Sequence, residues 1–180
     1  MEADWEFEIG GDAPVIEAYW PGFVNIRDQP ERMHEIAETG MLPGLAAALL
    51  RLNQVGSPVW TCKTDVFVPE EVDPDELSAS REEAQFAIAC YIDLLMRGDQ
   101  VWNLPVEAEK DCRKLCTRMQ EIPLRCCRLD LVVRRARVAD GSDNLGVTVY
   151  LTACGETLAN ATERLAECLV AFSRLMVAEP

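Results

Sequence analysis

Two long strand-like runs, Leu124 to Val138 and Gly146 to Ala153, flank the turn-forming residues Asp140-Gly141-Ser142-Asp143-Asn144, and an amphipathic segment follows directly. Branched residues on both sides of such a turn predict a β-hairpin. Beyond Gly155, the residues Leu158, Leu165, Cys168, Leu169, Phe172 and Met176 fall on one side of a helix. A hairpin with one apolar face and a helix with one apolar stripe bury both by packing on each other, so the carboxyl-terminal third demands a sheet-and-helix layer.

The rest of the chain repeats these ingredients. Trp60 to Val68 and Phe86 to Met96 read as strands, and Asn103-Leu104-Pro105 opens a helix whose stripe is Cys112, Leu115, Cys116 and Met119. A helix from Pro43 to Leu52 is apolar on most sides and should be buried. Asp28 before Pro30 and Glu31 predicts another helix start, with Gly40 as its stop. Val15 to Trp20 and Phe23 to Ile26, interrupted by Pro21-Gly22, suit one kinked strand or two short ones. Residues 1–13 form a peripheral acidic arm or edge strand ending in Gly10-Gly11-Asp12. The expected fold is a single α+β domain over residues 1–180, an antiparallel sheet of four to six strands with helices mainly on one face. At 180 residues the chain buries roughly 70% of its unfolded surface, enough for a core without staples.

Cys62-Lys63-Thr64-Asp65-Val66-Phe67-Val68 matches Cys127-Arg128-Leu129-Asp130-Leu131-Val132-Val133 in residue type at nearly every position, and Tyr91 aligns with Tyr150 in the strands that follow. Residues 59–121 and 124–177 would then be two strand-strand-helix units; shared strand composition explains the match equally well. Alternation assigns Cys62, Thr64, Val66, Val68, Cys90, Ile92, Leu94, Cys127, Leu129, Leu131, Val133, Val147, Val149 and Leu151 to the helix-covered face. The opposite face carries Lys63, Asp65, Tyr91, Asp93, Arg128, Asp130, Arg134 and Tyr150, with Thr148 and Thr152. Opposite charges and phenols together can hold a polar ligand or another protein; they also suit a solvated face with cross-strand ion pairs.

The net charge of −14 opposes general nucleic-acid binding, whose affinity comes from basic side chains displacing counterions. It is uneven: residues 1–50 hold ten acids and two bases, residues 110–140 nine bases and four acids, and residues 69–83 seven acids. Some of the basic charges from Arg125 to Arg137 should therefore pair with the acidic arm or loop. The apolar run Leu45 to Leu50 is six residues, far short of the roughly 20 that span a membrane. Acids at the start where a signal peptide has basic residues point to the cytoplasm, where the eight cysteines would stay reduced and serve as buried apolar groups.

Cys112, Cys116, Cys126 and Cys127 lack the paired C-x-x-C knuckles of a zinc site, so no metal and no cofactor is expected. Cys154 precedes a helix whose amino end would favour a thiolate, which makes it the candidate reactive thiol, but the sole histidine, His34, lies far away in sequence. Phosphate-loop, dinucleotide-binding, zinc-protease and nucleophile-elbow motifs are missing from the sequence. The expectation is a noncatalytic binding module recognising a basic protein surface or a small polar or cationic ligand. The alternative is an enzyme using the polar sheet face or Cys154. Oligomeric state is left open.

Overall fold

A computed structural model describes residues 1–98, 102–138 and 143–177. Its elements run β1 (Glu2–Glu8), β2 (Ile16–Glu17), α1 (Leu45–Asn53), β3 (Val59–Phe67), β4 (Phe86–Met96), α2 (Pro105–Gln120), β5 (Cys127–Arg137), β6 (Asp143–Gly155) and α3 (Leu158–Val177). They form an α+β fold on one sheet of six strands, ordered β1-β5-β6-β4-β3 with β2 continuing the β1 edge of β5. The β5–β6 hairpin is present; of its expected turn, residues 140–142 lie outside the described residues.

The sheet is mixed, correcting the antiparallel expectation. β3, β4, β6 and β5 pair antiparallel in that order, but β1 and β2 run parallel to β5. Alternation in Glu2-Ala3-Asp4-Trp5-Glu6-Phe7-Glu8 decides which side chains face the helices, and it reads the same in either direction. Ala3, Trp5 and Phe7 join the main core, while the acids take the other face alongside the basic strand β5.

All three helices cover one face: α2 lies on β1 and β5, α3 on β6 and β4, and α1 beside α3 on β3. Buried Leu45, Leu49, Leu52, Ile92, Leu94, Met119, Leu129, Leu131, Leu151, Leu165, Leu169 and Phe172 fill the space between the layers. Pro105 opens α2 at a position that needs no amide donor, and Glu107 Oε2 accepts from the amides of Asn103 and Leu104 at 2.9 and 3.1 Å. The α2 face that turns inward carries Ala108, Cys112, Cys116 and Met119.

The segment between β2 and α1 departs furthest from expectation. Only Ile16–Glu17 is strand in the region Val15 to Ile26, and the helix expected from Asp28 to Gly40 is instead two short 3-10 turns, Pro30–Glu35 and Ala37–Gly40. Asp28 does not cap them; its carboxylate accepts from Asn25 Nδ2 at 2.7 Å, and extended Ile36 breaks the run. From the β5 edge, where the Ala18 amide donates to the Arg137 carbonyl, the chain crosses beneath the sheet to β3. There Arg27 stacks 3.8 Å from the Trp60 ring centre. Ile16, Ala18, Trp60, Cys62, Leu95 and Ala136 form a second small core under this end of the sheet.

Cys62 belongs to that second core because β3 contains a bulge. Thr61 pairs with Leu94 and Thr64 with Ile92, which leaves Cys62 and Lys63 together opposite Asp93. The extra residue reverses the alternation upstream, so Trp60 and Cys62 face away from the helices while Thr64 and Val66 keep the expected side. Buried Asn53 stabilises the distortion, accepting from the Thr61 amide at 3.1 Å, and the Trp20 indole donates to the Cys62 carbonyl at 3.0 Å. Val68, also assigned to the covered face, lies past the end of β3 and is exposed.

Candidate functional site

Away from the helices, strand pairing sets the polar side chains in rows. One row runs Asp65, Tyr91, Tyr150, Asp130, Asp4 across the sheet, and the next runs Lys63, Asp93, Thr148, Val132, Glu6. Every residue assigned by alternation to this face lies on it. They do not form one site, however. A cavity of about 500 Å³ under β1, β5 and β6 takes in Arg128, Asp130, Arg134 and Tyr150, while Lys63 and Asp65 line a separate cleft of about 270 Å³ along the β3 edge beside Trp20 and Glu38.

Arg134 organises the first cavity. Its guanidinium donates to Glu8 Oε2 at 2.7 and 3.0 Å, to Thr148 Oγ1 at 3.0 Å and to Tyr150 Oη at 3.2 Å. Burial works against its charge, but the Tyr150 and Glu8 contacts outweigh that and hold its pKa above the usual arginine value. Arg128 grips Asp130 through Nε and Nη2 at 2.8 and 2.7 Å and reaches Glu76 of the acidic loop at 3.6 Å, and the Asp130 hydrogen bond raises its pKa. The basic strand thus pairs with both the amino-terminal arm and the loop after β3.

Between the cavities, Thr148 Oγ1 donates to Asp93 Oδ1 at 2.6 Å. Burial pushes the Asp93 carboxyl above its ordinary range, although Thr148, Arg134 and Lys63 each pull it back. The Lys63 ammonium sits 5.7 Å from the ring centres of both Trp20 and Tyr91, and its hydrogen bond to the Tyr91 hydroxyl raises its pKa. Tyr91 and Tyr150 lie 5.9 Å apart, centre to centre. Asp65 turns its carboxylate back to the Val66 amide at 2.8 Å.

Asp4, Glu6 and Glu8, which also line the larger cavity, were not among the residues the sequence singled out. The alternating acids of the arm were the available signal, but their placement beside β5 depends on pairing across more than 120 residues. Asp4 and Glu6 are exposed and make no ion pair among the described residues.

Cys154 lies outside both cavities, fully buried with Leu77 and Cys126. Burial pushes its thiol up to about 12, the reverse of thiolate activation, and its amide donates to the Cys126 carbonyl at 2.9 Å. His34 is exposed, with Nδ1 2.8 Å from the Glu31 carbonyl oxygen. Among the described residues, no cluster of three His, Cys, Asp or Glu side chains is arranged to hold a metal ion, and no helix is long and apolar enough to cross a membrane. In comparisons with known proteins, no family model, no curated protein and no solved structure matches the chain.

Proposed function

We propose that the protein is a noncatalytic binding module whose cavity under β1, β5 and β6 recognises a basic protein surface. The observation that carries this reading is the state of the charges there. Arg128 and Arg134 are already paired with Asp130 and Glu8, whereas Asp4 and Glu6 stand exposed at the same cavity with no ion pair among the described residues. The residual field is negative, within a chain of net charge −14, and such a field speeds encounter with a cationic partner. A free small cation is less well served, because Tyr91 and Tyr150 already face Lys63 and Arg134 of the chain itself.

A fluorescent decalysine peptide titrated into the native protein tests the reading. Binding is expected to weaken steeply between low and physiological salt, and the Asp4→Asn/Glu6→Gln double variant is expected to lose about tenfold in association rate. The Glu70→Gln/Glu71→Gln variant, which removes the same charge from the loop after β3, should bind as the parent does. Equal losses in both variants would reduce the effect to net charge alone, and binding insensitive to salt would remove its electrostatic basis.

A further inference from the structure

The cysteines play no part in the proposed binding surface, yet two of them meet across the main core from different elements. Cys127 begins β5, and its Sγ lies 3.6 Å from the Arg164 carbonyl oxygen on α3. In an α-helix that carbonyl accepts from the amide four residues on, which here is Cys168. The Cys127 sulfur therefore sits against the turn that carries Cys168, and both side chains are buried in the same core. The half-buried Met1 side chain closes this spot, its sulfur 3.9 Å from Cys168 Sγ.

We propose that Cys127 and Cys168 form an oxidative modification site, a thiol pair that hydrogen peroxide converts into a disulfide joining β5 to α3. The Cys127 thiolate attacks one peroxide oxygen, the O–O bond breaks, and the departing hydroxide takes up the Cys127 proton as water. The Cys168 sulfur then attacks the resulting sulfenic sulfur, the S–O bond breaks as the S–S bond forms, and the leaving hydroxide takes the Cys168 proton as a second water. Two thiols lose two electrons and one peroxide is reduced.

The order of attack follows from the surroundings. The Cys168 side chain and the nearby Arg164 charge hold the Cys127 thiol below its usual pKa, whereas Cys168 is raised well above it. The neighbouring Cys126 and Cys154 are both raised by burial and belong to a separate small core. Cys112 and Cys116 share one helix.

The test treats the reduced full chain with peroxide, blocks remaining thiols in denaturant, and maps cross-linked peptides without reduction. Six of the eight thiols should remain, with residues 126–128 linked to the peptide carrying Cys168. Cys126→Ala should keep that link and Cys127→Ala should lose it. In Cys168→Ala, oxidation should stop at a sulfenic acid on Cys127 that dimedone traps. A link from residues 126–128 to Cys154, a bond between Cys126 and Cys127, or eight intact thiols in the treated parent protein would each overturn the proposal. The parent mapping decides the matter even if a variant fails to fold.

Discussion

At Asp93 the sequence has placed a carboxylate where the sheet and the crossing segment leave it little water. Its pKa is raised by burial, so the folded protein holds this proton more tightly than the unfolded chain does. The sign follows: ionising Asp93 costs folding stability as pH rises from its ordinary value of 3.8 through the raised native value, and the cost is fully present above it. Asn in its place keeps an acceptor for Thr148 and removes the half-buried charge. Asp93→Asn is therefore expected to unfold at higher urea than the parent at neutral pH, with the advantage shrinking as pH falls toward 3.8. Urea midpoints measured across that range check it; an advantage that grows toward acid would show that the Arg134 and Lys63 attractions outweigh burial.

Among the elements, β6 shows how a strand makes room for the segment beneath it. Gly146 pairs with Leu95 and Arg134 on the face where the crossing chain lies. A Cβ there would stand 2.9 Å from the Leu94 carbonyl oxygen, 2.8 Å from Leu95 Cδ2 and 2.9 Å from Ile16 Cδ1. The two side chains can shift, but the β4 backbone cannot without disturbing the ladder. Gly146→Ala is expected to destabilise by about 1–3 kcal/mol, read from denaturant unfolding. Tm loss should accompany it, whereas an unchanged midpoint would mean that β4 and β2 yield freely. Trp20 of the same crossing segment, together with Asn53 at the end of α1, holds the bulge in β3 by bonding groups that a regular edge strand would leave open.

For the molecule as a whole, the helix layer, the crossing segment and the loop after β3 together bury all eight cysteines. Bulky thiol reagents meet the core only when it opens, so native protein is expected to react slowly with Ellman's reagent and to release its full colour only in denaturant. The time course at native and unfolding concentrations of urea checks this, and rapid modification of any thiol in buffer would contradict the burial. Peroxide meets the same burial at Cys127 and Cys168, so their disulfide is expected to form only as fast as the core around them opens.

The sequence by itself determined which stretches are strands and helices, and which face each side chain takes, wherever the period was unbroken. Phe86 to Met96 is β4 to the residue, and Tyr91, Asp93, Arg128, Asp130, Arg134 and Tyr150 lie on the polar face as alternation requires. That information is local, because successive side chains on a strand point to opposite sides whatever the partner. Only the tertiary structure decided that β1 runs parallel to β5, that a bulge turns Cys62 away from the helices, and that the polar residues divide between two cavities. The same holds for Cys154, whose place before a helix suggested activation until packing buried it. Direction, bulges and burial depend on contacts between residues far apart in the chain, and a two-residue period carries no record of them.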